Sequence, residues 1–71
     1  MISNSSALDN ADRTIKTSGY DNSKATFSTK INSGQRLSKN DIVLGERLIQ
    51  EAIDRQDFDT AGELINNVAI A

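Results

Sequence analysis

The sequence predicts a mainly α-helical protein in which an extended or disordered polar N-terminal arm precedes a C-terminal antiparallel helical hairpin. Two observations support this class. Composition changes near Leu37, from a segment rich in Ser, Thr, Asn, Asp and Gly to one that is more apolar and more acidic. In the second segment the apolar residues recur at spacings of three and four, as on the buried face of a helix. We therefore divide the chain into an arm at residues 1–37 and a hairpin at 38–71, with helices at 39–55 and 58–71.

The arm carries isolated apolar residues among polar clusters that favour turns. Residues 25–31 alternate apolar and polar at period two, as a half-buried strand does, and residues 9–16 are suited to one or two helical turns. The apolar content of the arm barely offsets the entropy of ordering it, so we expect it to be disordered alone. The alternative is an extended arm that orders against a partner, and the two expectations are compatible as free and bound states.

The first hairpin helix has a clear start. Ser38 and Asp41 have the spacing of a capping box, in which each side chain accepts from the backbone N–H of the other residue. Leu37 and Ile42 flank this cap at the spacing of a hydrophobic staple. The helix is therefore expected to begin at Lys39.

Each predicted helix carries one apolar stripe. The first stripe consists of Leu44, Leu48, Ile49, Ala52 and Ile53, and the second of Phe58, Ala61, Leu64, Ile65 and Val68. Glu51 and Arg55 are spaced as a favourable i,i+4 ion pair, and Asp57 is placed to cap the second helix. Gly45, beside the first stripe, is either a tolerated helix defect or a site of close approach by another helix.

Composition excludes several classes of protein. The 71 residues include eight basic and ten acidic side chains and no Cys or His, so disulfide frameworks and the common zinc sites are excluded, and we expect no metal or cofactor. A net charge of −2 argues against a nucleic-acid partner, and no apolar run is long enough to cross a bilayer. Without a secretory signal the protein is expected to be intracellular. Because so short a chain buries little surface, we expect it to be stabilised by a protein partner or as a homo-oligomer.

The residues of the hairpin do not predict an enzyme. General acid–base and nucleophilic catalysis need a positioned base, and a two-helix hairpin offers no pocket to perturb a carboxylate or to bind a small-molecule substrate. The carboxylates of Asp54, Asp57 and Asp59 are close in sequence but lack the glycine turn and ligand spacing of an EF-hand. A solvated interhelical turn is favoured over a calcium site.

Residues 48–65 resemble the hairpin of helical-repeat proteins of the tetratricopeptide kind. In that pattern a small residue on the first helix, here Ala52, interlocks with an aromatic and an alanine on the second, here Phe58 and Ala61. Residues 41–71 further resemble hairpin segments of the large polyvalent and internal virion proteins of bacteriophages. This second resemblance implies a structural or cargo protein that travels with the virion, either as part of a longer chain or packed onto one.

The sequence thus favours a non-enzymatic structural or protein-interaction protein, virion-associated if the phage resemblance holds, that orders by packing on a larger assembly. The alternative is a small cytosolic regulator that folds on a larger protein and inhibits or tethers it. In the first hypothesis the apolar stripes of the hairpin pack on each other and on a partner, whereas the regulator uses the N-terminal arm to inhibit or tether its target. The expected partner-binding residues are Leu44, Leu48, Ile49, Ile53, Phe58, Leu64, Ile65 and Val68.

Overall fold

The structure is a computed structural model that describes the backbone of residues 2–70 and the side chains of residues 7–70. The chain forms four helices: α1 (Ile2–Ser18), α2 (Tyr20–Asn32), α3 (Lys39–Asp54) and α4 (Phe58–Ile70). Helix α3 is central and contacts each of the other three, most extensively α1 and α4. The mainly helical class and the C-terminal hairpin are confirmed, while Ala71, the predicted last hairpin residue, lies outside the described residues.

The start of α3 is the predicted capping box. The Ser38 hydroxyl accepts from the Asp41 backbone N–H at 3.2 Å, and the Asp41 carboxylate accepts from the Ser38 backbone N–H at 3.1 Å. Asp41 also places negative charge at the positive end of the helix dipole. The helix therefore begins at Lys39, as the sequence indicates.

The turn between α3 and α4 closes with two hydrogen bonds that are typical of a left-handed helix end. The backbone N–H of Gln56 donates to the Ile53 carbonyl at 2.9 Å, and that of Asp57 donates to the Ala52 carbonyl at 2.8 Å. Gln56 accordingly has a positive φ of 61°, and α4 begins two residues later. The turn is short, so α3 and α4 pack as neighbours along the hairpin.

The expected extended arm requires correction. Residues 2–18 and 20–32 form the helices α1 and α2, and the period-two segment 25–31 lies inside α2. The buried residues of α2 recur at helical spacing: Tyr20, Ser23 and Phe27 are buried, and Ile31 packs against the same core. The helical spacing was difficult to see in the sequence because one of its buried positions is the small polar residue Ser23. Ala25 and Thr29 instead suggested a period of two, and both are exposed in the structure.

Helix α1 is organised by still smaller residues. Ala7 and Ala11, one helical turn apart, are buried, and Ile15 packs against the core. Gly19, with a φ of 88°, separates α1 from α2 in a conformation that L residues rarely adopt. The first two helices thus form a layer over the hairpin, which we call the N-terminal layer (residues 7–32).

The core lies between this layer and one side of the hairpin, which we call the inner face. It is built from Tyr20, Phe27, Leu48, Ala52, Ala61 and Leu64. Gly45 lies where the packing is closest, because a methyl group at its Cα would stand 2.7 Å from Phe27 Cζ and 2.9 Å from Val68 Cγ2. Of the two interpretations of this glycine, the structure supports the site of close approach: the Phe27 ring of α2 occupies the space that a side chain would need.

Candidate protein-docking surface

The eight predicted partner-binding residues fall into three groups by exposure. Leu48 and Leu64 are fully buried, at 0% and 1% exposure, inside the protein's own core. A second group, Leu44, Ile49 and Val68, is partly buried and packs against that core. The third group is exposed: Phe58 at 65%, Ile65 at 52% and Ile53 at 44%. Of the eight predicted residues, those of the third group are the most open to a partner.

The exposed group occupies the side of the hairpin that the N-terminal layer leaves uncovered. Phe58 and Ile65 lie seven residues apart on α4, with Gly62 between them and Ala69 following, so these four share one helix face. Ile53 lies on the last turn of α3, beside the interhelical turn. We call these five residues the outer face.

The N-terminal layer covers the other side of α4. Thr60, Glu63 and Leu64 of α4 line one shallow cavity of about 310 Å³ together with Lys24 and Ala25 of α2. Leu64 and Ile65 are one residue, or about 100°, apart around the helix. Adjacent positions in the sequence thus divide between a covered side and an open side.

Two charged contacts hold the N-terminal layer to α3. Arg47 Nε donates to Asp12 Oδ1 at 2.6 Å, and Arg47 Nη1 lies 3.4 Å from Glu51 Oε1. The hydrogen bond to Asp12 is the main reason that the pKa of Arg47 is raised, so its charge is fixed. In the first turn of α3, Lys30 Nζ donates to Asp41 Oδ1 at 2.8 Å, which more than offsets the effect of burial and lowers the pKa of Asp41.

Tyr20 anchors the start of α2 to the hairpin turn. Its hydroxyl donates to Asp57 Oδ2 at 3.0 Å, and its ring centroid lies 4.3 Å from Lys24 Nζ and 4.5 Å from Arg55 Cζ. Burial, together with the Asp57 carboxylate, raises the pKa of Tyr20 to about 12. Hydrogen bonds from Thr60 and Tyr20 lower the pKa of Asp57, as expected for a carboxylate at the start of α4. These contacts fix the layer to the inner side of the turn.

The charges that remain outside ion pairs are unevenly distributed. Among the described residues of the hairpin, carboxylates that form no ion pair outnumber cations that form none: they are Glu46, Asp54, Asp59 and Glu63, against Lys39. In residues 7–37 the balance is reversed, with Arg13, Lys16 and Arg36 against Asp9. Carboxylates outside ion pairs thus predominate on the hairpin, and cations outside ion pairs predominate in residues 7–37.

A cavity of about 520 Å³ lies between α1 and α3, beside the Tyr20 ring. Three basic side chains line it, yet Arg47 and Arg55 are engaged by the carboxylates of Asp12 and Glu51, which also line it. A small-molecule site usually combines an apolar lining with a few convergent polar groups. This cavity is instead part of the polar seam that joins the N-terminal layer to the hairpin.

This seam was not predicted from the sequence. In the structure Lys24 and Lys30 of α2 pair with Asp57 and Asp41 of the hairpin. The available signal was the helical recurrence of Tyr20, Phe27 and Ile31, which places Lys24 and Lys30 beside the buried stripe. Recognising it required accepting Ser23 as a core position.

Comparison of the chain with protein-family models, with curated proteins and with solved structures finds no match. As far as the structure describes them, none of the four helices is long and apolar enough to cross a membrane. Within residues 7–70 no group of three or more Asp and Glu side chains is arranged to hold a metal ion. The exposure, spacing and charge of the outer face therefore form the basis of a functional assignment.

Proposed function

We propose that the chain is a non-enzymatic structural or protein-interaction protein that binds another protein through the outer face of its hairpin. The observation that supports this most directly is the exposure of three large apolar residues of the hairpin: Ile53 and Phe58, which flank the interhelical turn, and Ile65, seven residues further along α4. Burying a side chain of this kind gains about 1.5–3 kcal/mol, and grouped exposed apolar residues mark interaction sites. Three such side chains can form the apolar core of a protein–protein interface that has a polar rim.

A binding role also agrees with the chemistry of the residues. The sequence contains neither His nor Cys, and the Tyr20 hydroxyl, whose pKa is strongly perturbed, is engaged in anchoring α2. Perturbed groups in ion-pair networks are often structural. We therefore assign the perturbed groups of this protein to its stability.

Of the two functional hypotheses, the packing favours the structural or interaction protein over the regulator that folds on its target. The regulator hypothesis uses the N-terminal segment as the element that orders on a target. In the structure residues 7–32 are already packed on the protein's own hairpin, through Phe27 and the Arg47 to Asp12 contact among others. The phage resemblance adds the further proposal that the assembly bound by the outer face is a virion.

Site-directed photo-crosslinking tests the proposed function. A p-benzoylphenylalanine replaces Ile65 on the outer face or, as a matched control, Leu8 on α1, which is exposed to a similar extent at 49%. The proposal predicts a crosslinked protein adduct in the native cells from position 65, which is lost with Phe58→Ser, and none from position 8. Adducts from both positions, or from neither, would contradict it.

A further inference from the structure

Resting on the proposed function, we infer that the element of the partner that docks on the outer face is a basic amphipathic α-helix. It presents apolar side chains at helical spacing to Ile53, Phe58 and Ile65, and Lys or Arg side chains to the surrounding carboxylates. The inference depends on three observations: the charge around the outer face, the polarity of the N-terminal layer and the geometry of two antiparallel helices.

The charge around the outer face is negative and available. Glu46 and Asp54 on α3 and Asp59 on α4 are exposed, and none of them forms an ion pair among the described residues. By helical spacing Glu46, seven residues before Ile53, shares the α3 face of that residue, and Asp59, three residues before Gly62, lies at the border of the outer face on α4. An interface that buries the apolar residues brings these carboxylates to its rim, where basic residues of the partner would complement them.

A second copy of the chain fits this surface poorly. Two outer faces in contact would place the carboxylates of Asp54 and Asp59 opposite like charges, which costs binding energy. Contact of an outer face with the N-terminal layer of another copy would bury few apolar side chains. Within the described side chains of that layer, Leu8 is the one large apolar residue that is exposed.

The backbone geometry favours a helix as the docking element. The outer face is formed by neighbouring antiparallel helices, and residues 2–70 contain no strand whose edge could pair with an extended peptide. At the centre of the outer face Gly62 has open space, with no atom within 4 Å of the position that a Cβ would take. A partner helix can therefore lie close to the backbone of α4 between Phe58 and Ile65, in a helix-on-helix docking mode.

Three designed peptides of about 18 residues, or about five helical turns, probe this chemistry. The first is an amphipathic Leu/Lys helix, the second has the same Leu positions with Glu for Lys, and the third keeps the Lys residues and replaces Leu by Ser. Affinity is measured by fluorescence anisotropy of the labelled peptides against the full chain. At low salt we expect the Leu/Lys peptide to bind about tenfold more tightly than either control, with the advantage over Leu/Glu shrinking as salt rises.

Variants locate the binding. We expect Ile65→Ser to weaken binding of the Leu/Lys peptide about tenfold, and the exposure-matched Leu8→Ser to leave it unchanged. Asp54→Asn combined with Asp59→Asn should weaken binding of the Leu/Lys peptide about threefold without weakening that of Leu/Glu. Asp9→Asn on α1, which removes an exposed carboxylate far from the outer face in sequence, is the control for charge.

Each contrary result overturns the inference in a different way. Equal binding of the Leu/Lys and Leu/Glu peptides would remove the basic preference while leaving the docking face in place. Crosslinks from position 65 without binding of either Leu peptide would retain the proposed function and exclude a helical partner. A rise in sedimenting mass of the chain without peptide, abolished by Ile65→Ser, would identify a second copy as the occupant.

Discussion

The two sides of the hairpin carry similar apolar patterns but have different environments. On the inner face Gly45 is closed in by Phe27 and Val68, whereas on the outer face Gly62 has open space. Leu48 is fully buried on one side and Ile65 is half exposed on the other. An apolar stripe at helical spacing therefore identifies a surface that needs cover, and other elements of the chain decide which part of that surface is covered.

The two faces are expected to differ most in how much stability is lost when an apolar residue is replaced by Asp. Leu48→Asp places a carboxylate without a partner in the core, so we expect a loss of more than about 4 kcal/mol in the free energy of unfolding, enough to unfold so small a chain. Ile65→Asp, on the outer face, should lower this free energy by only about 1 kcal/mol, because half of the Ile65 side chain is already exposed. Far-UV circular dichroism with urea denaturation measures both, and similar losses for the two variants would remove the distinction between the faces.

Substitution of Gly45 and Gly62 by Ala should also affect the free energy of unfolding differently on the two faces, by a smaller amount. Gly45→Ala introduces a methyl group into the Phe27 ring, which is itself buried and cannot move aside, so we expect a net loss of about 1–3 kcal/mol. Gly62→Ala meets no neighbouring atom and improves helix propensity, so a gain of about 0.5–1 kcal/mol is expected. Opposite signs in urea denaturation support the account, and a gain at both positions would place Phe27 elsewhere.

Tyr20 allows the anchoring of the N-terminal layer to be tested by pH. Its pKa rises from 10.0 to about 12 on folding, so it contributes stability that is complete below pH 10 and is lost as pH rises from 10 to 12. Tyr20→Phe removes the donor to Asp57 and should cost about 1 kcal/mol at neutral pH. The free energy of unfolding of this variant should also fall less steeply between pH 10 and 12, and identical alkaline slopes for the two proteins would show that Tyr20 is not buried against the hairpin turn.

The capping box at the start of α3 should contribute about as much to stability as the Tyr20 hydroxyl. Ser38→Ala removes the acceptor for the Asp41 backbone N–H at the start of α3 and should cost about 1 kcal/mol. Asn40→Ala, in the same first turn but outside the capping box, is the control and should cost much less. Equal effects of the two substitutions on urea denaturation would mean that the capping box does not stabilise α3.

The C-terminal hairpin was predictable because its signals are local. Ser38 and Asp41 determine the helix start over four residues, and Glu51 and Arg55 pair within one turn, at 3.1 Å. The large aliphatic residues of α3 and α4 made the helical period visible. None of these signals depends on the rest of the chain.

The N-terminal layer was not predictable in the same way because its order depends on distant residues. Ala7, Ala11 and Ser23 are buried since small side chains allow helices to approach closely, yet each resembles a surface residue when the sequence is considered alone. The contacts from Arg47 to Asp12 and from Tyr20 to Asp57 join residues 35 and 37 positions apart.

The candidate site follows the same division. Sequence alone identified Ile53, Phe58 and Ile65 as partner-binding candidates, but it placed Leu48 and Leu64 in the same group. Separating the open residues from the buried ones required knowing that α1 and α2 cover one side of the hairpin. Their contact with a partner stays a prediction, which the crosslinking experiment addresses.

The concentration dependence of folding tests most directly whether the N-terminal layer and the hairpin of one chain form the core together. If the N-terminal layer covers the inner face within one chain, the far-UV helical signal and the urea midpoint should stay constant between about 5 and 500 µM. Intramolecular packing of Phe27 and Leu48 supplies the core at any concentration, and the outer face is proposed to bind a different protein. A helical signal or midpoint that rises with concentration would contradict this account, because it would show that a second chain provides the cover that the N-terminal layer is claimed to provide.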